Sequence, residues 1–126
     1  MDGPSASRTA VLEALQRPID PRHFKTRRQG SKELTYVPWS TLVRCLQHRA
    51  PGYSWELKAV AQLGEWVTVT GRLSIPTADG PLVYENVSSE PLKSASYAPP
   101  VETAASSCLR RCCAMAGLGL ELWELD

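Results

Sequence analysis

The stretch from Tyr53 to Val87 constrains this chain most, because its apolar residues recur at every second position. Tyr53, Trp55, Leu57 and Ala59 alternate with Ser54, Glu56 and Lys58, and Val67, Val69, Leu73 and Ile75 alternate with Thr68, Thr70, Arg72 and Ser74. A period of about 2 sets one face of a strand against a core and the other in water, so both segments read as half-buried strands. Gly64-Glu65 and Ala78-Asp79-Gly80 supply turns. Pro81 to Val87 then makes the third strand of an antiparallel meander whose short connections are hairpins.

A Ser/Pro-rich link from Ser88 to Pro100 leads into Val101 to Gly117, where the period becomes helical. At about 100° per residue, Val101, Ala105, Cys108, Leu109, Cys112, Met115 and Ala116 form one apolar stripe, suited to covering the sheet. Arg110 lies nearly opposite the stripe, Arg111 lies on its flank beside Ser107, and Gly117 stands where a helix C′ residue is expected. Upstream, Val11, Leu12 and Leu15 have helical spacing after Ser5 or Ser7 as N-cap, with Pro18 closing the segment. Pro38 opens a second helix whose face is Trp39, Leu42, Val43 and Leu46, until Pro51-Gly52 ends it. Between these helices, the basic Arg22 to Lys32 contains a Gln29-Gly30-Ser31 turn and is followed by the apolar Leu34 to Val37, which reads as a basic β-hairpin. The expected fold is α+β: an antiparallel β-meander packed against a long C-terminal helix, a β-β-β-α core, with an N-terminal helix, the basic hairpin and a second helix before it. With 126 residues, this is one domain spanning 1–126.

Charge is divided along the chain. Nine Lys/Arg against three acids leave +6 between Arg8 and Arg49, and five against nine leave −4 from Ala50 to Asp126. Such polarity suits an anionic partner on one side, with nucleic acid the first candidate. Five of the basic residues fall in the eleven from Arg22 to Lys32, with no acid among them, so this hairpin can follow a phosphate backbone or be a solvated turn. Arg110-Arg111 would give a second basic element on the same groove.

Other chemistry is poorly served. Hydrophobic content of 43%, mean hydropathy of −0.23 and no apolar run near the length of a span exclude a membrane helix. Met1 to Ser5 lacks the basic-then-apolar order of a secretory leader, so a cytoplasmic, reducing setting is expected. Cys108, Cys112 and Cys113 crowd together, with Cys45 elsewhere, which makes a poor disulfide framework and a good set of buried thiols. His23 and His48 lie far apart and no CxxC occurs, so zinc is not expected. No nucleophile elbow, paired carboxylates or Walker A loop is present, so neither an enzyme nor a cofactor is expected. Trp39 and Trp55 fall on core-facing positions, Trp66 begins a strand, and Trp123 in the acidic tail has no assigned place. Tryptophan stacking on bases is therefore discounted.

The segment Glu33 to Trp55 (ELTYVPWSTLVRCLQHRAPGYSW), a Tyr-Val step entering a helix that closes at Gly-Tyr-x-Trp, resembles the single-strand annealing proteins of the Rad fifty-two type. So do Val69 to Val87 with its Asp-Gly turn, the lysine-bearing Val87 to Ser94, and Cys108-Leu109-Arg110-Arg111 running to Gly117-Leu118-Gly119-Leu120. The likeness covers roughly residues 8 to 123, and it is closest to a minimal bacterial or phage version without recruitment tails. It implies ATP-independent binding of single-stranded DNA and annealing of complementary strands, in recombination or repair, by an oligomeric ring or helix associated with the nucleoid. By position it implies that Arg27, Arg28, Arg110 and Arg111 bind phosphates, with Lys25 and Lys32 beside them on the hairpin and Lys93 as a second, weaker contact. The implied partners are single-stranded DNA, its complement, further copies of the chain, and a single-strand-binding protein or recombinase, with no membrane. Two rival readings remain open: a single-strand or RNA-binding module that does not anneal, and a scaffold subunit whose basic half binds an acidic protein.

Overall fold

A computed structural model describes residues 6–93 and 98–125. Helix α1 (Arg8–Gln16) is capped by Ser7, whose hydroxyl accepts from the Ala10 N–H at 3.1 Å; the alternative cap, Ser5, lies outside the described residues. A 3-10 turn (Pro21–His23) leads into the hairpin of β1 (Lys25–Gln29) and β2 (Lys32–Tyr36), and Pro38 then caps α2 (Trp39–Arg49). Next comes the antiparallel meander of β3 (Ser54–Leu63), β4 (Trp66–Ile75) and β5 (Leu82–Pro91), followed by α3 (Pro100–Met115) and a closing 3-10 segment (Leu120–Leu125). The expected α+β order of elements is the observed one.

Strand β4 is the centre of the sheet and keeps strict alternation, with Val67, Val69, Gly71, Leu73 and Ile75 all buried. Helix α3 lies on that face, mainly over β4 and β5. Its Cys108 and Cys112 are fully buried, and their thiols donate weakly to the Asn86 carbonyl at 3.2 Å and to the Gly71 and Tyr84 carbonyls at 3.8 Å. Leu15 of α1 and Leu42 and Leu46 of α2 complete the core from the other side of α3. At its C-terminus the helix closes with a Schellman arrangement: Gly117, at φ +99°, donates to the Ala114 carbonyl, and Leu118 donates to the Cys113 carbonyl at 2.9 Å.

Four expectations are corrected. Strand β3 is not half-buried: apart from Trp55 it is exposed throughout, because α3 covers β4 and β5 and leaves β3 overhanging. A bulge at Lys58 also reverses its alternation, so that Leu57 opposes Gly71 but Val60 opposes Val69, and Ala59 turns to the outer face. Strand β5 does not end at Val87; Ser88 is a buried inner-face residue opposite Val69, and pairing continues to Pro91 opposite Trp66. The expected link therefore begins after Leu92, and its part 94–97 lies outside the described residues. Trp39 does not face the core: it is 55% exposed, since it occupies the first turn of α2 while packing is carried by Leu42 and Leu46 further along. Val101 and Met115 likewise lie on the correct angular stripe of α3 but at its ends, where both are exposed, although the Met115 sulfur accepts from the Asn86 amide of β5 at 3.3 Å.

Candidate nucleic-acid interface

The β1–β2 connection has two residues, Gly30 and Ser31, between the paired Gln29 and Lys32. Gly30 has φ +64° and Ser31 does not have positive φ, the pattern of a type II′ turn. That turn fixes the register, and the register decides which basic residues share a face. Directly opposed residues in an antiparallel pair project to the same side. Lys25 opposite Tyr36, and Arg27 opposite Leu34, lie with Lys32 on one face; Thr26 opposite Thr35, and Arg28 opposite Glu33, lie on the other.

The Tyr36 face meets α3. The Arg27 guanidinium carbon is 5.6 Å from the Tyr36 ring centroid, and that of Arg110 is 5.7 Å from the same centroid. Both fall within the range of cation–π attraction. Arg110, half-buried, also donates to the Ser107 hydroxyl at 3.3 Å. Burial, and next the Arg27 cation, push its guanidinium below the usual arginine range, against the opposing effects of Tyr36 and Glu90; it stays cationic at neutral pH. Ion pairs among the described residues join Arg22 to Asp20 at 3.1 Å and Arg72 to Glu85 at 2.6 Å, so neither Arg27 nor Arg110 is neutralised by a carboxylate. Two cations on one ring, with Glu90 acting on Arg110 without a close ion pair, favour an anion between or beside them.

A cavity of about 250 Å³ opens at this point. Leu34, Leu42 and Leu118 give it an apolar lining, while Arg27, Tyr36 and Arg110 stand at its polar side. Trp123 lines it too, and the Arg111 guanidinium lies 5.5 Å from the Trp123 centroid. Thus the structure brings Arg27 and Arg110 to one opening, which Arg111 reaches only through its contact with Trp123, with Lys25 and Lys32 on the adjoining hairpin face. It does not bring Arg28 there, which projects from the opposite side of the ribbon. Lys93 is exposed just beyond the end of β5, where Leu92 donates to the Glu65 carbonyl of the β3–β4 turn at 2.8 Å. Tyr36 and Trp123 are the residues that sequence reasoning left out; pairing Lys25 with Tyr36 across the Gly30-Ser31 turn would have revealed the first.

Other arginines of the basic half serve the fold. Arg49 donates to the carbonyls of Ala14, Leu15, Arg17 and Pro18, the closest at 2.5 Å, and so satisfies the end of α1. The opposite side of α3 holds unreactive thiols: burial pushes Cys108 and Cys113 up, and Cys112 up to about 12. No described helix is long and apolar enough to cross a membrane.

No protein-family model matches the chain. Among curated proteins, it is similar to the DNA repair RAD52-like protein 1, mitochondrial, of Arabidopsis thaliana, with 28% identity over 118 residues, which cover 92% of this chain and 67% of that protein. The relative is a plant protein, and the expected bacterial or phage origin draws no support from it. The likeness to a Rad52-like protein extends over nearly the whole of this chain.

Proposed function

We propose that this protein binds single-stranded DNA across the opening formed by Arg27, Tyr36 and Arg110, and anneals complementary strands without ATP in DNA repair or recombination. The observation that carries this reading is the convergence of Arg27 from the hairpin and Arg110 from α3 on one tyrosine ring, with no ion pair to either among the described residues. Guanidiniums held this way contact phosphates and leave base edges available for pairing. The name of the plant relative, a DNA repair protein, agrees with that role. The protein acts by binding and not by making or breaking bonds.

Annealing requires two strands to be held over a length that one opening does not span, so repeated subunits are part of the proposal. Its support is β3: an edge strand whose Leu57 and Val60, on the side facing α3, are 47% and 53% exposed, with Leu63 exposed beyond them. An uncovered apolar edge of this kind is a surface for another copy.

The test is oligonucleotide affinity across a salt series for Arg27→Ala and Arg110→Ala. Each should fold as the parent does, bind more weakly, and flatten the log–log salt slope by about 0.7, the value for one phosphate contact on a single strand. Unchanged affinity and slope in both variants would remove the opening from the DNA path. Mass measurement of the same samples separates a binding defect from a defect in assembly.

A further inference from the structure

Of the four tryptophans, Trp55 is packed over Gly71, and Trp39 and Trp66 stand on exposed surfaces without a cation against them. Trp123 differs from all three. It is 46% exposed, carries the Arg111 guanidinium on its ring and lines the same cavity as Arg27 and Arg110. A large aromatic side chain left half in water, with one cation on its ring and two more lining the same cavity, none of them in an ion pair among the described residues, is poorly explained by packing, since tryptophan contributes most when its ring is covered.

Resting on the DNA-binding reading above, we propose that the Trp123 indole is a stacking platform for one unpaired nucleobase in each subunit, adjacent to the phosphates held by Arg27 and Arg110. Arg111 fixes the orientation of the ring through its own contact and adds positive charge at the rim. The cavity, at about 250 Å³, is below the ~300 Å³ at which drug-sized sites begin. That is room for one planar base against the Trp123 ring. Every base offers a π face, so the contact carries no sequence preference, and a base stacked flat keeps its pairing edge available.

The experiment compares a thymidine oligonucleotide with an abasic phosphodiester of equal length and charge, by fluorescence anisotropy of the labelled oligomers. The parent should bind the base-bearing strand more tightly, by about 5- to 100-fold. Trp123→Ala should erase that preference and leave the salt slope unchanged; Trp123→Phe should retain part of the preference. Should Trp123→Ala lose its cooperative melt, Trp123→Phe decides, an undiminished preference refuting the platform and a reduced one supporting it. Equal binding of both strands by the parent overturns stacking while the phosphate reading stands, whereas binding of neither strand overturns the proposed function itself. A Trp123→Ala protein of altered mass that still prefers the base-bearing strand assigns the ring to subunit contact and also overturns the proposal.

Discussion

Replacing Gly71 with alanine tests the packing on which the placement of α3 depends. Gly71 is buried in the middle of β4, opposite Leu57 on one side and Asn86 on the other. A Cβ at this position would lie 2.2 Å from Cη2 of Trp55 and 2.9 Å from both Cζ2 of Trp55 and Sγ of Cys108, where ordinary contact begins near 3.4 Å. The indole would have to retreat by about 1.2 Å, and Cys108 is fully buried between α3 and the sheet. Overfilling of this kind costs about 1–3 kcal/mol, offset in part by the roughly 0.5–1 kcal/mol that alanine gains over glycine in a regular element. The expected net loss is about 1–2 kcal/mol, a fall of roughly 3–8 °C in Tm for a domain of this size. Urea denaturation followed by circular dichroism measures it, and a double-mutant cycle with Trp55→Ala identifies the cause. Without the indole, Gly71→Ala meets Cys108 alone, so the two changes should couple by about 1 kcal/mol. A Gly71→Ala protein as stable as the parent, or an identical cost in both backgrounds, would refute the reasoning.

The hairpin register makes Arg28→Ala a control: it should weaken oligonucleotide binding less than Arg27→Ala, and equal losses in titrations at matched salt would show that both faces of the ribbon meet DNA. Cys108→Ser and Cys112→Ser should lower stability by about 1–3 kcal/mol in denaturant titrations and leave oligonucleotide affinity unchanged, since each removes a sulfur that fills a fully buried site. Raised thiol pKa values in the folded protein mean that the unfolded chain gives up its thiol protons first as pH rises. Stability is therefore intact below the ordinary thiol value of 9.0 and is lost progressively toward about 12, a slope that Cys112→Ser should reduce in melts across alkaline pH. Arg49→Ala should cost about 1–3 kcal/mol by removing the donor to the Leu15, Arg17 and Pro18 carbonyls at the end of α1, with amide exchange rising first in that helix.

Alternation and helical spacing were sufficient to order the elements, because every core position of β4 and most of those in α1, α2 and α3 obey them. What they could not carry is anything set by a single inserted or reversing residue. The run Tyr53 to Ala59 alternates perfectly as written, yet the bulge at Lys58 moves Ala59 to the outer face. Ser88 to Pro91 has the composition of a loop and becomes strand because β4 between Trp66 and Val69 needs backbone partners on that side. The arginines of the site were legible as a basic cluster, but adjacency in sequence paired Arg27 with Arg28, where strand geometry separates them. Trp39 shows the converse, an apolar residue at the correct angle whose turn of helix has nothing to pack against. Trp123 was out of reach because its place depends on where the chain goes after α3.

That path is set at Gly117. Its positive φ reverses the chain, and a Cβ there would come within 2.6 Å of Cγ of Gln16, so the reversal is wedged against the end of α1. Had α3 run straight on, Trp123 would stand about 12 Å further along the helix axis than Met115, clear of the opening it now lines. Gly117, with Gly119 at φ +77° two residues on, thus serves as a fixed elbow joint: together they determine the aim of the last segment, and the contact with Gln16 ties it to α1. A change in α1 or at Gly117, touching no basic residue, would alter the shape of the opening while leaving its charge the same.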